Sequence, residues 1–332
     1  MRWWCSAVVE KWSWVPRPYL GVWLLCIALT VGYVVGSRRH AAHLADGSVT
    51  DPAAARPRTE QELARERRRP WQFALGIFFL WLASDWPIGA LGASYLASLH
   101  MMQYMLYSLA AAPLLMLGTP EWMGRRILAV THLGGLYRVL AVPIVAALVS
   151  NGVLIVTHAP VSVDTLRATQ MGSFALDMIW LVAGFILWTP IISPLPECRA
   201  RTAPIKLVYL FAAAALMPMI PGGFLTFASQ PLYRTYELAP RIGVDALNDQ
   251  QMAGVTMKVG NLPVIWTVMG VIWFRWYKRD AGEKKTIVRD PVTGAPLRRP
   301  TAGTPVSGTT ASTTAAPRSA GRTVVPSEPG AT

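Results

Sequence analysis

The sequence predicts an all-α polytopic membrane bundle of about seven transmembrane helices, with the N-terminus outside and the C-terminus cytoplasmic. Three observations carry this. Of the 332 residues 53% are hydrophobic and only 15% charged, with a mean hydropathy of +0.35. Soluble chains carry roughly 25% charged residues, so these charges are too few to cover a soluble surface. Apolar windows then recur at 19–36, 71–91, 95–118, 137–157, 171–192, 205–227 and 251–277. Each approaches the about 20 residues that cross a hydrocarbon core of about 30 Å, and only helices pair every backbone group within one such segment. Finally, basic residues fall in alternate loops, which sets orientation.

The first window starts after an N-terminal outer segment, residues 1–18, and ends in "GSRRH". It is long and lacks a small-residue cleavage site, so it reads as a retained span. The loop 37–70 is cytoplasmic and rich in arginine. Within it, "TEQELARERRRP" opens on the capping box Thr59-x-x-Glu62 and predicts a short cytoplasmic helix before the second span. Arg125 and Arg126 follow the third span, Arg199 and Arg201 the fifth, and Arg275, Lys278 and Arg279 the seventh. The intervening outer loops are short or mixed in charge: 92–94, then 158–170 with Asp164 and Arg167, then 228–250. The net charge of +13 thus belongs mostly to the cytoplasmic face, suited to anionic lipid headgroups, and needs no nucleic-acid partner.

The sixth span is irregular, since "LMPMIPGGFLTF" crowds Pro218, Pro221, Gly222 and Gly223 together and predicts a kink or break in its outer half. Residues 278–332 turn Thr-, Ser-, Pro- and Gly-rich and predict a disordered cytoplasmic tail. The three cysteines fall in three places, Cys5 outside, Cys26 in the first span and Cys198 in a cytoplasmic loop, with no CxxC pair.

Polar residues converge on the outer side. His100, Gln103, Tyr104 and Tyr107 share one face of the third span at 3.6 residues per turn. Asp85 lies in the outer half of the second span and His158 closes the outer end of the fourth. Asp177 lies one to two turns into the fifth, and Asp249, Gln250 and Gln251 sit at the mouth of the seventh. Ionisable residues at such depth are costly and mark functional sites. Met101 and other methionines of the outer halves add thioethers, and thioether with imidazole suits Cu(I). The same methionines also serve as gap-fillers in an apolar core. No G-x-S-x-G, H-E-x-x-H or phosphate-binding glycine loop is present, so no enzyme is predicted.

Taken together, "SDWPIGAL", "YLASLHMMQYML", "AAAPLLMLGTP", "THAP", "GFILWTPIISP" and "DALNDQQMAGVTM" resemble the CtaG-type cytochrome c oxidase assembly proteins, from about Trp14 to Trp276. The resemblance implies a multi-pass protein of the cell membrane that helps to mature the copper centres of haem–copper oxidases. Its partners would be oxidase subunits or other assembly factors. His100, Met101 and Gln103 match the family's His-Met-x-Gln-His block, with Tyr104 at the second histidine; His158 matches the His of Trp-His-x-Pro. Ser173 and Asp177 stand where family members carry a histidine pair, Asp249, Gln250, Gln251 and Gly254 match, and Lys258 replaces an aromatic. The implied metal set is His100, His158, Asp249 and Met101 with Cu(I), supported by Asp85, Gln103, Tyr104, Asp177, Gln250 and Gln251. Two other readings of the residues stay open. One is a proton- or ion-coupled transporter through Asp85, His100 and Asp249. The other is a retinal-type seven-helix protein using Lys258.

Overall fold

The computed structural model describes residues 2–47, 59–289 and 296–298, with side chains as far as residue 282. The chain to Lys278 forms one compact, all-helical unit. Beyond it the last helix runs on to Thr286, and Ile287–Arg289 pairs antiparallel with Pro296–Arg298, Val288 opposite Leu297. The rest of the predicted tail lies outside the described residues.

Among the described residues five helices are long and apolar enough to cross a membrane, and seven spans result if two bent pairs each count as one. The first, α1 (Leu20–Ala45), buries only Val22 and Cys26 and leaves Leu24, Ile27 and Val31 more than half exposed. An exposed apolar face of this kind is what lipid covers.

The second differs from expectation. The short helix before it is instead the first part of one helix, α2 (Glu60–Ser84), which continues through Pro70. The capping box is formed: Thr59 Oγ1 accepts from Glu62 N at 3.3 Å, and Thr59 N donates to the Glu62 carboxylate at 2.9 Å. The span then bends by 43° at Asp85–Pro87, where the Trp86–Pro87 peptide is cis, and resumes as α3 (Ile88–Ser94).

The third span, α4 (Ala97–Gly118), widens into a π turn over Leu106–Ala111. After α5 (Glu121–Thr131) and α6 (Gly134–Leu140), a 91° bend leads into α7 (Pro143–Thr157). The predicted fourth span 137–157 is therefore shorter than its apolar run, because Pro143 starts a new helix. The loop 158–170 folds into α8 (Pro160–Arg167) and leads to α9 (Gln170–Ile192).

The sixth span, α10 (Ala203–Phe227), carries a π segment at Leu210–Leu216 and a turn at Met217–Pro218, and is not sharply bent. The predicted irregularity is there, spread over a widened turn rather than a break. After the short α11 (Arg234–Glu237), the seventh span is divided at Gly260–Asn261 into α12 (Ala246–Val259) and α13 (Leu262–Thr286).

Both π turns displace carbonyls from the helical ladder, and a side chain takes up one in each. Trp188 Nε1 donates to Ser108 O at 2.9 Å, and Asn261 Nδ2 donates to Ala214 O at 2.7 Å. In lipid such a group would otherwise go unpaired, at a cost of several kcal/mol. The break in the seventh span thus places the amide that completes the sixth.

Close helix contact depends on Gly184. A Cβ there would come within 2.8 Å of both Ala112 Cβ and Ser108 Cα, in α4 beside its π turn. Gly184→Ala should lower the melting temperature in detergent, overpacking costing about 1–3 kcal/mol. Gly223→Ala, where nothing lies within 4 Å, should leave it unchanged or slightly raised.

Candidate functional site: a buried arginine network

The centre of the polar convergence is Arg167, the last residue of α8, which the sequence places in a mixed-charge loop. Its side chain is fully buried. Arg167 Nη2 meets Asp177 Oδ1 at 3.0 Å, with neither side chain exposed. Arg167 Nε donates to His100 Nδ1 at 3.3 Å, Nη2 approaches Gln103 Oε1 at 3.4 Å, and the guanidinium lies 5.2 Å from the Trp180 ring centroid.

The N-terminal segment, residues 2–18, packs against this network. Trp4 is fully buried and its Nε1 donates to Asp177 Oδ2 at 2.8 Å. Ala7 N donates to the Arg167 carbonyl at 2.8 Å, and Trp3 N to Gln170 Oε1 at 2.8 Å. Cys5 is buried, with its Sγ donating to Ser84 O at 3.0 Å. Cys5, Cys26 and Cys198 are all free thiols.

The two histidines come together. Their rings lie 5.9 Å apart, edge to face, His158 stacks on Trp180 at 5.4 Å, and the Tyr104 ring meets His158 edge-on at 4.8 Å. Each has one engaged nitrogen. His158 Nδ1 donates to Leu154 O at 2.8 Å, so its neutral ring presents a bare lone pair at Nε2. His100 Nδ1 accepts from Arg167, so its neutral ring carries the proton at Nε2. Neither Nε2 has a partner.

The other expected site residues are placed apart from this pair or engaged elsewhere. Asp85 ends α2 and accepts from Tyr19 N at 2.9 Å, Trp23 Nε1 at 2.7 Å and Trp81 Nε1 at 3.0 Å. Asp249 accepts from Ala97 N, Ser98 N and Ser98 Oγ, covering the free donors at the start of α4. Gln250 and Gln251 hold the chain of 228–232 by its backbone. Met101 is fully buried in the apolar core, and Gln103 Nε2 donates to Ala83 O at 2.8 Å. Lys258 lies over the exposed Phe227 ring at 4.9 Å, which gives no support to a retinal lysine facing the bundle.

The loop 228–250 also packs inward. Tyr233 and Tyr236 are buried, and their hydroxyls donate to His158 O at 2.9 Å and Gly92 O at 2.6 Å. Burial raises both phenols well above their ordinary value, so they act only as neutral donors. Asp164 of α8 accepts from Thr235 N and Oγ1 and fixes α11.

This constellation, the His-Met-x-Gln helix closed by the Asp-Gln-Gln helix and the His158 turn, is where comparison with known proteins applies. A family described as cytochrome c oxidase caa3 assembly factor matches residues 53–279, well over half of the chain. The chain belongs to that family. No curated protein and no solved structure matches it. The matched region of this caa3 assembly factor runs from the loop before α2 to the last span and includes every expected site residue.

The caa3 assembly factors lead one to ask whether these residues fit Cu(I). Among the described residues no group of three or more His, Cys, Asp or Glu side chains is arranged to hold a metal ion. The two imidazoles alone are close, and His100 offers no lone pair while Arg167 donates to its Nδ1. A guanidinium at 3.3 Å also repels an added cation. As arranged, the set does not fit a resident copper centre.

Breaking a buried ion pair on one side leaves an uncompensated charge, at about 3–5 kcal/mol. Arg167→Met should therefore lower thermal stability in detergent strongly, as should Asp177→Leu. The double variant should recover most of the loss, because no charge is then stranded. Full additivity of the two single effects would show that the pair is not coupled.

Proposed function

We propose that this chain is an assembly factor for a haem–copper cytochrome c oxidase that works as a membrane scaffold. It sits in the cell membrane with the N-terminus outside and the C-terminus cytoplasmic, and holds oxidase subunits or other assembly factors while the copper centres mature. The family match across the membrane unit carries this reading. The arginine network supports the scaffold form of it, since its charged groups are directed at one another and at the Trp4 and His100 side chains.

A transporter has less support. Asp85 and Asp249 are each engaged by backbone and side-chain donors rather than placed along a shared path with His100. The specific observation that favours direct copper handling is the unpartnered Nε2 of His158 beside His100.

Deleting the protein should reduce the copper content and activity of the cell's oxidase. Complementation with His100→Ala/His158→Ala, at matched protein level, should restore both to within about twofold of wild type. Purified protein titrated with Cu(I) without oxygen should show no stoichiometric binding. One tightly bound Cu(I), lost in His158→Ala together with oxidase copper, would instead establish a copper carrier. An oxidase unaffected by the deletion would end the assembly reading altogether.

A further inference from the structure

A second polar feature lies apart from the arginine network, where the segment before α1 folds against the bend between α2 and α3. Trp12 stacks nearly parallel on Trp86 at 6.3 Å and meets Tyr95 edge-on at 5.3 Å. Between them opens a cleft with about 20 Å³ of free space, lined among others by Arg2, Lys11, Trp12, Arg17, Trp86 and Tyr95.

The donors here exceed the acceptors. Glu10 accepts from Arg2 and from Arg17, each at 3.0 Å, and is the one acid set against three cations. The hydrogen bond from Arg17, and then the charge of Arg2, hold its carboxyl below the usual range, so it stays ionised. Lys11 makes no ion pair among the described residues. The indole N–H groups of Trp12 and Trp86 are buried, and neither has a partner. An indole nitrogen only donates, as do ammonium and guanidinium groups. Leaving a buried donor unpaired costs about 1–3 kcal/mol, so two of them on residues that line one cleft call for an acceptor.

The complement of such a cleft is an oxyanion. Its position supplies the source, since it adjoins Tyr19 at the entry to α1, whose apolar face is exposed from its first turns. Indoles gather at that depth in membranes, where N–H groups meet headgroups. We propose that this cleft binds the phosphate of an anionic phospholipid headgroup, held by Lys11 and the N–H groups of Trp12 and Trp86. Lipid bound here would hold the N-terminal segment in place, and with it Trp4 over Asp177. The inference does not depend on the assembly role.

The full chain in a neutral detergent can be titrated calorimetrically with short-chain phosphatidylglycerol, short-chain phosphatidylcholine and inorganic phosphate. Phosphatidylglycerol should bind at least tenfold more tightly than either of the others. Lys11→Gln and Trp86→Phe should each weaken it about tenfold, the effect of losing one charge-assisted hydrogen bond. Glu10→Gln should strengthen it by releasing Arg2 and Arg17. Lys11 is exposed, so its variant keeps the fold and carries the test even if Trp86→Phe does not express. Equal binding of the two lipids, or wild-type affinity in Lys11→Gln, would overturn the proposal. Inorganic phosphate binding as tightly as phosphatidylglycerol would overturn the lipid as its source.

Discussion

The guanidinium of Arg167 and the carboxylate of Asp177 meet at 3.0 Å with no exposure of either side chain, and the rest of this end of the bundle is arranged around them. An isolated charge at such depth costs several kcal/mol even after relaxation. Each ion therefore needs more than its partner. Asp177 takes the Trp4 indole, which draws the N-terminal segment into the bundle. Arg167 takes His100 and Gln103 from α4 and the face of Trp180 from α9. One ion pair thus joins α4, α8, α9 and the residues before α1.

The same accounting explains the other two acids. Asp85 and Asp249 are not stranded charges awaiting a ligand; each accepts three hydrogen bonds where a helix ends or begins. The start of α4 leaves backbone donors that lipid cannot satisfy, and Asp249 covers them, while Asp85 takes the Tyr19 amide ahead of α1 and the indoles of Trp23 and Trp81. The π turns follow this rule with neutral partners, Trp188 and Asn261 serving carbonyls that the widened helices release. Ionisable residues inside a span mark sites by default, and here much of that signal is structural.

Much of the arrangement was legible in the residues. His100, Gln103, Tyr104 and Tyr107, spaced for one helical face, are all buried, and the His158 ring meets those of His100 and Tyr104. Arg167 was missed because it sits in a stretch with Asp164 that reads as a solvated loop. A signal was available: Asp177 inside an apolar run needs a cation, and Arg167 is the basic residue before it on the same side. Tyr104 packs its ring edge-on against His158.

The sequence by itself determined the class, the helices and the family. Apolar run lengths and scarce charge admit only a helical membrane protein, since lipid demands internally paired backbone, and ordered motifs survive as letters. Only the tertiary structure decided which polar groups consume one another. The tautomer of His100 depends on an arginine 67 positions away, and the environment of Asp177 on a tryptophan 173 positions away. Hydrogen bonding and desolvation act over a few ångströms in space. No local pattern records those distances, so a cluster of polar residues scattered along the chain folds around one buried ion pair.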